Sequence, residues 1–320
     1  METLTRSWSD EDLILLSQRV SNAGRWGVDD EIGTLNHISP AKRRDAAQLV
    51  RTGQTLSLAH PLTPIEHRML YGHKPRPTSH VPASAGDYIG LDVHQAALTH
   101  LDALSHVAGH DGWLYNTRRF DDVVTASGLS HGSIYAQREG IVSRGVLLDV
   151  AAALGVDWLE PTYRITAADL EGAERYGSVR ISHGDVLVLR AGNEACDTAM
   201  GPHSLAAGPG PDCIEWIHQR EVAVYAGDAP EQITLAAARI LGRAPERDEL
   251  GQDDEVPTLF PLPMHQIGLA AMGLVLLDHC RVEELAKTCR RLGRYEFLFV
   301  AAPLPLRRGT GSPVNPLAIL

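Results

Sequence analysis

The chain has 320 residues, 44% hydrophobic and 22% charged, which is the size and mix of one large folded α/β domain and not of a disordered segment. Its formal net charge of −11 argues against nucleic acid or an anionic membrane as partner, since both require a basic face. No stretch reaches the roughly 18 consecutive apolar residues of a membrane span. Cys196, Cys213, Cys280 and Cys289 show no C-x-x-C spacing and are too few for a disulfide framework, so a reducing cytoplasm is the expected setting.

Residues 8–20, WSDEDLILLSQRV, predict a short amphipathic helix whose acidic residues sit in the first turn, where the helix dipole favours them. An ordered loop, GRWGVDDEIGTLN, follows. Residues 40–51, PAKRRDAAQLVR, predict a second helix opened by Pro40 and closed before Gly53. Together these form an N-terminal helical and loop excursion (1–60) of a single domain spanning 1–320. TLSLAHPL alternates like a strand. From 62 to 88 the chain is rich in proline, histidine and glycine without periodicity, a loop of the length that tends to carry function.

Strand-like stretches then recur: LDVHQAAL, GVLLDVA, DVLVLRA, EVAVYAGD and YEFLFVAAPL. Several are apolar throughout, which suits strands covered on both faces. Helical patterns lie between and beyond them: AADLEGAERYG, DCIEWIHQRE, MHQIGLAAMGLVLLD and VEELAKTCRRLG. The order predicts a mixed sheet with flanking helices. AAGPGP (206–211) lacks the spacing and the preceding strand of a dinucleotide fingerprint, and no G-x-S-x-G elbow is present.

The densest chemistry lies in THLDALSHVAGHDGW, residues 99–113. If 91–102 is extended, parity puts His94, Ala96, Leu98, His100 and Asp102 on one face. If the chain turns helical near Asp102, then His106, four residues on, shares its face. Imidazole and carboxylate together are what a divalent metal with nitrogen and oxygen ligands requires. Solvated or capping polar residues are the competing reading, and spacing alone does not choose between them.

The segment THLDALSH resembles the H-x-G-T-H-x-D-x-P-x-H core of a metal-dependent hydrolase family, the cyclases, which includes kynurenine formamidases and isatin hydrolases. RWGVDDEIGTLN, GWLYN, RGVLLDV, GDVLVLRAG, GDAPE and RYEFLFVAAPLPLRRGTGSPVNP extend the likeness to the family's longer-chain branch over nearly the whole sequence. The resemblance implies a swivelling β/β/α fold assembled as a homodimer or homotetramer. It implies His100 and Asp102 as metal ligands, completed by His265 and by Asp278 in place of the family's glutamate, with His106 as the general acid–base. Zinc or manganese suits such ligands. Trp26 resembles an aromatic that lines the family's substrate pocket, and Trp113 and Tyr115 are further lining candidates. The family's first histidine falls on Ala96. His94 lies two residues earlier, about 6.6 Å away along an extended strand; it could replace the lost ligand only if the backbone shifts, and otherwise lines the pocket. The implied reaction is hydrolysis of a C–N amide bond, cyclic or formyl-type, in a small aromatic molecule. Lactone hydrolysis, a cyclisation or dehydration on the same centre, and a metal-free non-catalytic relative are the alternatives.

Overall fold

The computed structural model describes residues 7–62, 70–75, 85–242 and 259–320. Nine strands form one sheet: β1 (Thr55–Ser57), β2 (His100–Asp102), β3 (Ile141–Asp149), β4 (Val186–Arg190), β5 (Val224–Gly227), β6 (Val275–Asp278), β7 (Glu296–Ala301), β8 (Gly311–Pro313) and β9 (Leu317–Ile319). Their order across the sheet is β1-β9-β7-β3-β4-β5-β6-β2-β8. The central run β3-β4-β5-β6 is parallel and the flanking pairs are antiparallel. The mixed α/β sheet expected from the sequence is therefore present. Central strands are covered on both faces, which is why Val186 to Leu189 and Val224 to Ala226 read as unbroken apolar runs and are buried throughout.

Helices pack around this sheet where their caps and apolar stripes predict. α1 (Asp10–Arg19) starts on a Ser9–Asp12 capping box, and α2 (Pro40–Ala47) starts on Ser39 with Pro40 in its first turn. α3 (Ala167–Gly177) and α4 (Pro211–Gln219) precede β4 and β5 as crossovers, and α5 (Glu283–Leu292) follows β6. Among the described residues no helix is long and apolar enough to cross a membrane. Within the span 62–88, residues Leu70–Pro75 pair antiparallel with Ala85–Gly90, so part of the expected loop is a hairpin; 63–69 and 76–84 lie outside the described residues.

Three expectations are corrected. Residues 91–98 are not a strand: Leu98 N–H closes a turn on the Gln95 carbonyl and the Gln95 side chain bonds back to the Asp92 carbonyl. Nor does a helix begin at Asp102, since a tight turn, His106 N–H to Ala103 carbonyl, takes its place. The stretch MHQIGLAAMGLVLLD is not one helix. It is a π-helix (Met264–Met272), a left-handed Gly273, and then β6. Gly273 (φ 64°) has its carbonyl on the Thr34 N–H, and a side chain there would strike the Tyr115 ring. Only glycine tolerates both constraints, and the reversal sends the chain back along the helix into the sheet.

Candidate metal centre

His100 and Asp102 are two residues apart on β2 and so point to the same side of the sheet. Asp278, the last residue of β6, pairs across the antiparallel ladder with His100. His265 enters from the first turn of the π-helix, whose return through Gly273 sets that turn beside the carboxyl end of β6. All four side chains are buried, Asp102 completely. Four residues that the sequence places 178 positions apart at the extremes thus meet at one edge of the parallel strands, where ligand sites in such sheets collect.

The distances fit an ion. His100 Nε2 lies 3.6 Å from Asp102 Oδ1 and 4.0 Å from Asp278 Oδ2, and His265 Nε2 lies 3.6 Å from Asp102 Oδ2 and 3.1 Å from Asp278 Oδ2. Ligands about 2.1 Å from a tetrahedral ion are separated by roughly 3.4 Å. Both Asp102 oxygens and Asp278 Oδ1 are buried without a hydrogen-bond partner among the described residues. Buried carboxylates left this way are costly unless a cation faces them. The donors fall into two overlapping triads that share Asp102: His94, His100 and Asp102 on one side, Asp102, His265 and Asp278 on the other.

His94, expected near the pocket wall, stands among the candidate ligands. The turns at 91–98 supply the backbone shift that an extended strand would forbid. They leave Ala96 exposed and set His94 Nδ1 3.1 Å from Asp102 Oδ1, out of line for a hydrogen bond. Thr310 Oγ1 holds the other His94 nitrogen at 2.9 Å. The His106 ring stacks on His94 at 3.5 Å, 7° from parallel. Burial draws the His106 pKa down to about 4, against the opposing pull of Asp102.

Electrostatics tie the group together. Burial alone would raise the Asp102 carboxyl, but the imidazoles of His94, His106, His100 and His265 outweigh it and hold the group below the usual carboxylate range. Burial would lower His265, yet Asp278 and Glu231 raise it well above an ordinary histidine. Each inward nitrogen is set by a bond on the far side of its ring. His100 Nδ1–H donates to the Leu98 carbonyl at 2.8 Å, and His265 Nδ1–H donates to Glu231 Oε1 at 2.5 Å. Glu231, 1% exposed, also accepts from the Met264 amide. The sequence reading passed over Glu231, although it closes the GDAPE stretch singled out there. Its only signal is a charge directly after a proline-bearing turn, since its partner lies 34 residues away.

Three expected pocket residues do not join this cluster equally. Trp113 opens a two-residue strand, Trp113–Leu114, and its carbonyl accepts the Gly109 N–H; it is 40% exposed with Arg119 over its ring. Tyr115 is buried against Gly273, with its hydroxyl on Asp30. Trp26 packs edge-on against His37, which in turn meets His183. His183 lies three residues before β4, and Gly273 two before β6. Trp26 and Tyr115 are therefore at the amino edge of the parallel strands, across the sheet from Asp278.

Known proteins show the same architecture. The "Putative cyclase" family matches residues 56–232. A crystal structure of a novel cyclase is similar over 95% of this chain and 99% of its own, with 30% identity and a TM-score of 0.78. Isatin hydrolase A from Labrenzia aggregata, bound to benzyl benzoate, shares 21% identity at a TM-score of 0.51, covering 85% of this chain and 94% of its own. An isatin hydrolase bound to the product analogue thioisatinate shares 19% identity at a TM-score of 0.52, covering 86% and 94%. No curated protein matches. By the family match over more than half its length, and by the fold it shares with the novel cyclase, this chain belongs to the cyclase family.

Proposed function

We propose that this protein is a metal-dependent hydrolase that cleaves a C–N amide bond, cyclic or formyl-type, in a small aromatic molecule. The observation that carries the reading is the fully buried Asp102 carboxylate, without a hydrogen bond and ringed by inward-facing imidazole nitrogens. His100, Asp102, His265 and Asp278 would hold the cation, with His94 a further donor on the His100 side. A divalent ion there would supply Lewis acidity, polarising a carbonyl and acidifying water toward neutral pH.

The chain's own groups do the rest. His106 is half-buried and neutral at pH 7, so its free nitrogen can accept the proton of the attacking water and return it to the leaving nitrogen. Water's oxygen becomes part of the product carboxyl group, the C–N bond breaks, and the proton ends on nitrogen. His94, pinned by Thr310, fixes the plane on which the His106 ring rests. Glu231 keeps His265 in the tautomer that faces inward. The likeness in fold to isatin hydrolases supports the cyclic-amide class, as a small aromatic ring with a polarised carbonyl.

Metal content of the purified protein, with a His100→Ala control, tests this. Wild type is expected to retain a divalent ion and to hydrolyse arylformamides or cyclic amides, and His100→Ala to lose both. Metal-free wild type without activity on arylformamide, cyclic amide or lactone would sink it.

A further inference from the structure

A second cluster of metal-binding groups lies at the opposite, amino edge of the parallel strands. His37 ends the 3-10 turn Gly33–His37, His183 sits in the loop before β4, and Glu221 sits in the turn before β5. One ligand atom from each lies within 4.8 Å of the others. We propose that His37, His183 and Glu221 form a separate site for a borderline divalent cation, zinc above all, that ties the N-terminal loop to the sheet.

His37 carries the argument. It is 3% exposed. Its ring is clasped edge-on by Trp26 at 5.1 Å and by His183 at 4.7 Å between centroids. One of its nitrogens lies within 4.8 Å of a ligand atom of both His183 and Glu221, and Arg25 and His218 also stand close enough to act on its charge. His183 Nδ1 already meets Glu221 Oε2 at 2.8 Å, while Arg25 takes the other carboxylate oxygen. A cation would therefore take the place of the proton now shared between His183 Nδ1 and Glu221 Oε2. Two imidazoles and a carboxylate, with one side open to water, are a ligand set that suits zinc.

The backbone around the site is already fitted together. Gly184 N–H donates to the Glu221 carbonyl at 2.9 Å, and a side chain at Gly184 would come within 2.6 Å of the His37 carbonyl oxygen. The three segments are therefore in contact before any ion binds, so little ordering opposes binding. Partial exposure of His183 and the positive Arg25 beside Glu221 make the site weaker than the buried centre.

Equilibrium dialysis of chelator-stripped full-length protein against micromolar free zinc tests the proposal. His183→Gln and Glu221→Gln are surface changes that leave the core intact. Each is expected to bind one zinc fewer per chain than wild type, with an unchanged circular dichroism spectrum. The same difference of one is expected in a His100→Ala background, which separates this site from the buried centre and from the hydrolase reading. Equal zinc stoichiometry in wild type and both variants overturns it.

Discussion

At Glu231 a single carboxylate governs how His265 meets its partners. The Nδ1–H bond at 2.5 Å fixes ring rotation and tautomer together, and the second oxygen on the Met264 amide fixes the carboxylate. Partners of this kind typically contribute 10–100-fold in metal affinity. Glu231→Gln keeps the shape but offers a weaker acceptor, so a chelator-competition titration is expected to show a loss near the lower end of that range, and Glu231→Ala near the upper end. His106 makes a prediction in pH. Its folded pKa is about 4 against 6.5 for a free imidazole. The base must be unprotonated, so log kcat/KM is expected to stay flat from neutral pH down to about 5 and to fall only below it. The unfolded chain takes the same proton near 6.5, so the stability that His106 contributes is full above that pH and is lost as pH falls through about 4. Urea midpoints at pH 7 and pH 5, compared between wild type and His106→Gln, measure it: the variant is expected to lose less stability between those values.

Elements explain why some of this was readable in advance. The strands at Ile141–Asp149, Val186–Arg190 and Val224–Gly227 announce themselves because burial on both faces demands apolar residues at every position. α3 spans Ala167–Gly177, the stretch its capping Thr166 and its apolar spacing mark out. His100, Asp102 and His106 were singled out through the likeness of THLDALSH to the family motif, and His265 through the MHQIGLAAMGLVLLD stretch. The fate of 91–98 was not: LDVHQAAL alternates like a strand, but ladder bonds begin only at His100, where Asp278 and Pro313 flank β2 on its two sides. Nor did the apolar run 264–278 reveal its break, because helix and buried strand share one composition and only Gly273 separates them. That glycine gives a test. Alanine there would need a left-handed φ and would put its Cβ 2.5 Å from the Tyr115 ring. The left-handed cap alone costs about 1 kcal/mol and overpacking a further 1–3 kcal/mol. Gly273→Ala is therefore expected to lower the unfolding free energy by roughly 2–4 kcal/mol, read by urea denaturation, with Gly268→Ala on the same helix as a milder control because its Cβ would meet nothing closer than 3.5 Å.

Across the whole molecule, the buried centre draws on β2, β6, the π-helix and the loop before β2, so loading it with a cation acts on global stability and not on one loop. In the cation-free chain, the charge of Asp278 and Glu231 is balanced in part by a proton on His265. His265 in particular holds its proton well above the ordinary histidine range because Asp278 and Glu231 face it. A divalent cation takes over that role and must displace the proton, because ligand nitrogens bind metal only when deprotonated. Zinc titration at pH 7 by calorimetry, in buffers of differing ionisation enthalpy, is therefore expected to show release of about one proton per ion bound at this centre. His183→Gln protein isolates it from the second cluster. The same loading stabilises the fold by about 2.7 kcal/mol at a free zinc concentration one hundred times the dissociation constant, visible as a rise in melting temperature. Asp102→Asn removes the carboxylate shared by both triads, so both the proton release and the rise should fall together. If melting rises with zinc while no proton is released, His265 is not the group the cation displaces, and the buried centre binds its ion through the His94 and His100 side alone.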